Sequence, residues 1–82
     1  MGEKTTAKET LPPDEVADRL EELAHQMRGD GQATVPVGNK QVTLSPADEV
    51  TYEVDVRERS PMLKKKRETV TLTFDWAVTS DD

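Results

Sequence analysis

The sequence predicts a two-layer α+β domain, one amphipathic helix packed on a four-stranded antiparallel meander. Three observations predict it. Val16, Leu20, Leu23, Ala24 and Met27 follow Pro12-Pro13 at helical spacing. Gly38-Asn39 lies between two short alternating runs. Residues 50–56 and 69–79 alternate apolar and polar side chains on either side of a basic stretch. A helix turning 100° per residue gathers the first set on one stripe, whereas a strand sends successive side chains to opposite faces.

The helix is expected from about Asp14 to Arg28. Proline suits the first turn because its missing N–H has no partner inside the helix there. Asp14 and Glu15 place negative charge at the positive end of the helix dipole, and Arg28 places a cation at the other end. Gly29 is a natural stop. The apolar stripe is one-sided, with Ala17 at its margin, so the helix should lie on something flat.

Gly38-Asn39 reads as a two-residue hairpin turn. That register sets Val37 opposite Lys40, Val35 opposite Val42 and Ala33 opposite Leu44, with the apolar members on one face. Pro36 falls on the other face. Proline cannot donate to a ladder, so residues 33–37 should form an edge strand. Ser45-Pro46-Ala47-Asp48 reads as a turn. Val50, Tyr52, Val54 and Val56 then alternate with Thr51, Glu53 and Asp55 to give a third strand. Residues 57–67, with Ser60-Pro61 among them, form a long hairpin loop. The fourth strand carries Val70, Leu72, Phe74, Trp76 and Val78 against Thr69, Thr71, Thr73, Asp75 and Thr79.

The expected core is Val16, Leu20, Leu23 and Met27 from the helix with Val35, Val42, Leu44, Val50, Tyr52, Val54, Val56, Val70, Leu72, Phe74 and Trp76 from the sheet. If Trp76 is fully buried, its replacement by Ala should cost ~3–5 kcal/mol. Residues 1–10 are polar and read as a flexible segment or a short edge strand. Residues 11–79 form a single domain, and residues 80–82 an acidic tail.

Eighty-two residues suit one domain with a thin core, since 33% are apolar and 34% charged. There is no cysteine, which excludes disulfides, thiolate zinc sites and thiol nucleophiles. No apolar run is long enough to span a membrane, and a cytoplasmic location is expected. The first six residues fit a myristoylation pattern that occurs often by chance. Residues 57–68 hold six cations against Glu58 and Glu68, a local +4 in a chain of −6, so the remainder carries −10. An acidic body argues against general nucleic-acid binding and for solubility in a salt-rich cytoplasm.

Leu20-Glu21-Glu22-Leu23-Ala24, the run Val37-Gly38-Asn39-Lys40-Gln41-Val42-Thr43-Leu44 followed by Pro46, and the amphipathic strand from Val70 to Trp76 together resemble the amphi-Trp domain family of archaea and bacteria. The resemblance covers about residues 11–77. It implies an α+β fold and a prokaryotic cytoplasm, often that of a halophilic archaeon. It carries over no activity and no catalytic residue, and the role it implies for Trp76 is packing.

The chemistry-bearing residues support little catalysis. His25, the only histidine, sits about 180° from the apolar stripe and should be solvated. Ser45, Ser60 and Ser80 lie in turns or the tail, with no local base to activate them. Gly29-Asp30-Gly31 lacks the lysine and the strand–loop–helix frame of a phosphate loop. Glu53, Asp55 and Asp75 should project from the open face, where three oxygen ligands could hold Mg²⁺ or Ca²⁺, although a solvated acidic face explains them as well. No catalytic, cofactor or metal residue is therefore expected, and the chain is read as a non-enzyme without a cofactor. The sharper candidates are Arg57, Arg59, Lys64, Lys65, Lys66 and Arg67, which could contact phosphates or an acidic partner. No aromatic is interleaved to stack bases. The expected function is a small interaction or accessory module with a protein partner or weak self-association, the alternative being weak anion or nucleic-acid binding by the basic loop.

Overall fold

The computed structural model describes residues 2–29, 31–63 and 65–78. One helix and four strands follow in order: α1 Pro13–Met27, β1 Ala33–Val37, β2 Lys40–Leu44, β3 Thr51–Arg59 and β4 Arg67–Asp75. The α+β class is as the sequence predicts. The strands pair as two antiparallel ladders, β1 with β2 and β3 with β4, where the sequence reading joined them in one meander. Residues 45–50 contain no strand and bend at Asp48 and Glu49, and Pro46 has no N–H to offer a ladder. The chain divides into two compact units, residues 1–46 and residues 47–82.

In the first unit Pro12 caps α1 and Pro13 opens it. The Pro12 carbonyl accepts from the N–H of Glu15 at 3.0 Å and of Val16 at 3.1 Å, so two donors of the first turn are satisfied. The Arg28 N–H donates to the carbonyls of Ala24 and His25, both at 3.2 Å. The glycine of positive φ after the helix is Gly31 rather than Gly29. The helix packs against β1. There the Gln26 side chain accepts from the Thr34 N–H at 2.9 Å, tying the helix end to the first hairpin.

The hairpin register is the expected one: Val37 faces Lys40, Val35 faces Val42 and Ala33 faces Leu44. Gly38 takes φ +65 while Asn39 does not turn positive, the pattern of a type II′ turn. Ala33 is wholly buried, alone among the described residues. The segment before α1 is irregular, with no strand over residues 2–12. Glu9 anchors it by a two-pronged ion pair to the Arg19 guanidinium, at 3.1 and 3.2 Å.

In the second unit β3 and β4 form a nine-residue ladder from Thr51 opposite Asp75 to Arg59 opposite Arg67. It is shifted toward the basic end relative to expectation. Arg57, Glu58 and Arg59 pair with Thr69, Glu68 and Arg67, so the connection narrows to residues 60–66. At the other end Val50 precedes β3 and Trp76 follows β4, and the expected continuation through Val78 is irregular. Thr79 lies outside the described residues.

The expected core is much less covered than the sequence suggests. Leu23, Met27, Val35, Val42, Leu44, Val50, Phe74 and Trp76 are half-buried. Val16, Leu20, Tyr52, Val54, Val56, Val70 and Leu72 are exposed. The hairpin faces explain part of this. Each ladder has only two strands, and two strands cannot enclose the face they share.

Candidate interaction surface

The β3–β4 register decides what each face of that hairpin presents. Directly opposed residues share a face, so Tyr52 with Phe74, Val54 with Leu72 and Val56 with Val70 form one apolar stripe. Tyr52 and Phe74 stack across the strands with ring centroids 5.8 Å apart and planes 19° from parallel. The stripe is open to solvent. Tyr52 is 64% exposed, Val56 63% and Val70 64%, and Leu72, the best covered of the aliphatic four, is still 37% exposed. Glu58 and Glu68 close the stripe at the hairpin tip.

The opposite face is polar and segregated by charge. Asp75, Glu53 and Asp55 lie toward the base, Thr69, Thr71 and Thr73 run along β4, and Arg57, Arg59 and Arg67 lie toward the tip. Arg57 donates from Nε to Asp55 at 3.0 Å, spending one cation on its acidic neighbour. Arg59 and Arg67 stand directly opposite each other, a like-charge pair that costs stability. They line a concavity of about 520 Å³ with Pro61, Met62 and Leu63. Lys65 and Lys66 lie in the connection; Lys64 lies outside the described residues. Of the six cations picked out by the sequence, the structure brings Arg57, Arg59 and Arg67 onto one face.

The carboxylates do not assemble as ligands. Glu53, Asp55 and Asp75 share the polar face, yet no three acidic or histidine side chains converge on a metal-sized site among the described residues. His25 is exposed on α1. Trp76, half-buried beyond the strand end, lines a shallow concavity of about 580 Å³ with Glu49, Val50, Thr51, Asp75 and Ala77. Its strand role is thus corrected: it sits at the base of the hairpin rather than within it.

Two structural contacts escaped sequence reading. Glu9 and Arg19 are ten residues apart, beyond any helical or strand period. The Arg19 hydrogen bond, and then its charge, hold the Glu9 carboxyl below the usual carboxylate range. Gln26 carries no apolar signal, although its place three residues after Leu23 puts it beside the stripe.

An amphipathic helix–hairpin unit and a second, open-faced hairpin define a small α+β domain with an exposed apolar stripe. The chain belongs to the Amphi-Trp domain family, whose model matches residues 1–82. Neither curated proteins nor solved structures return a match. No helix among the described residues is long and apolar enough to cross a membrane.

Proposed function

We propose that the chain is a small cytoplasmic protein-interaction module whose binding surface is the apolar face of the β3–β4 hairpin. The carrying observation is the row of six side chains, Tyr52, Val54, Val56, Val70, Leu72 and Phe74, aligned by register on one face. Five of the six remain 37–64% exposed. An aligned exposed apolar patch favours contact with another macromolecule, and its stacked aromatic pair is the kind of anchor that dominates interface energetics. The test is affinity capture from native lysate at native salt with the native chain and with Val54→Thr plus Leu72→Thr. These substitutions keep β propensity while removing apolar surface. A partner recovered by the native chain should be lost with the double variant; capture that is unchanged, or that recovers nothing specific, sinks the reading.

A second reading rests on Arg59 and Arg67. Two guanidinium groups opposed across a ladder, with Lys65 and Lys66 beside them in sequence, would be relieved by a bound phosphate or acidic segment. Binding of this kind weakens as salt rises. Gel shifts at low salt with Arg59→Ala plus Arg67→Ala as control decide it: no shift, or binding indifferent to salt, rejects it.

A further inference from the structure

The edges of the four strands are not alike. β1 carries Pro36, which blunts an edge by removing a donor. β3 carries Glu53, Asp55, Arg57, Glu58 and Arg59 among its nine residues, and charges along an edge oppose unwanted pairing. β2 is short and begins with Lys40. β4 has none of these defences in its middle. Thr69-Val70-Thr71-Leu72-Thr73 is uncharged, rich in β-branched residues, and free of proline. All five are exposed. A strand that is paired on one side only offers a row of unpaired N–H and C=O groups on the other. Among the described residues, β3 is the only strand paired with β4.

The sequence of β4 is also complementary to its own reverse. Laid antiparallel on a second β4 about Thr71, Arg67 falls opposite Asp75, Thr69 opposite Thr73 and Val70 opposite Leu72. Both ends of the ladder then carry an Arg–Asp pair, and the middle carries Thr–Thr and aliphatic pairs, combinations that stabilise neighbouring strands; between them Glu68 falls opposite Phe74, the one mismatched pair of the register. The parity preserves the faces: the apolar residues of both copies fall on one side. β3 has no such symmetry, because the same operation about its centre sets Asp55 against Asp55.

We propose that two copies of the chain associate through the free edges of β4, in an antiparallel register centred on Thr71. The product is a four-stranded sheet, β3–β4–β4–β3, with two-fold symmetry and one continuous apolar face. This deepens the interaction reading by naming a second copy as the partner. A two-fold interface suits a surface that complements itself, and backbone pairing supplies the contact.

The chain has no cysteine, so a single introduced thiol can form a disulfide only between copies. In this register Thr71→Cys faces itself across the two-fold, at the separation of directly opposed strand residues. Mild oxidation of the full chain should give a covalent dimer. Asp55→Cys lies on β3, about three strand spacings (~14 Å) from its mate, and should not cross-link. Sedimentation of the purified native chain should show a monomer–dimer equilibrium that depends on concentration. Arg67→Asp and Asp75→Arg should each weaken the dimer by about tenfold, since each sets like charges opposite twice, and the two together should restore it. A strict monomer at all concentrations overturns the proposal. So does cross-linking at residue 55 in place of 71, or a double charge swap that stays as weak as the single ones. These measurements use purified protein alone. A strict monomer whose lysate partner is still lost with Val54→Thr plus Leu72→Thr would therefore sink the self-pairing and leave the apolar-face reading standing.

Discussion

Gly38 and Glu9 bear on the same part of the first unit. Gly38 holds φ +65, and a Cβ placed on it would meet the Ala7 Cβ at 3.3 Å. The turn therefore needs glycine both for its backbone and for the passage of the N-terminal segment. Gly38→Ala should cost about 1–2 kcal/mol, read from urea unfolding. The Glu9–Arg19 pair lies on the surface, so its effect is on local order rather than on global stability. Its sign is fixed by the lowered Glu9 pKa. The tie is fully present above the ordinary carboxylate range and is lost as pH falls through Glu9's own, lower value. Amide protection over residues 7–11, taken relative to the intrinsic exchange rate at each pH, should fall on acidification through that window. Glu9→Gln should show low protection throughout and no such step.

At the scale of elements, the stacked Tyr52–Phe74 pair and Trp76 separate what the β3–β4 hairpin gains from its own ladder from what it gains at its base. A double-mutant cycle on Tyr52→Ala and Phe74→Ala should give a coupling of ~0.5–1.5 kcal/mol, since the rings touch across the strands. Trp76→Ala should cost about 2 kcal/mol, less than a buried tryptophan would, because the indole is half-buried beyond the strand end. A loss of 4 kcal/mol or more in thermal unfolding would mean that Trp76 is far better covered than this. The register of the first hairpin was legible in the sequence because turn chemistry and alternation constrain it together. Gly38-Asn39 fixed β1 on β2, and the parity of Val54 and Leu72 fixed the faces of β3 and β4. The ends of β4 were not legible. Alternation continues through Trp76 and Val78, but a strand lasts only as long as its partner, and β3 begins at Thr51 while reaching Arg59. For the same reason Arg57, Arg59 and Arg67, which read as a loop, became the polar face of a strand pair. The separation of the strands into two ladders was hidden because residues 45–48 look like an ordinary turn, and nothing local distinguishes a turn inside a sheet from a break between two.

For the molecule as a whole, a net charge of −6 makes the folded chain repel itself. Screening by KCl should raise its stability, and the urea midpoint should climb from low salt to molar salt. A flat or falling midpoint would remove the case for adaptation to a salt-rich cytoplasm. The pairing pattern has one more consequence, and it concerns time. Each ladder joins strands that follow one another directly in the chain: β1 to β2 across two residues, β3 to β4 across seven. The loops to be closed are short, so little entropy is spent before backbone bonds form. Such a chain belongs with fast folders.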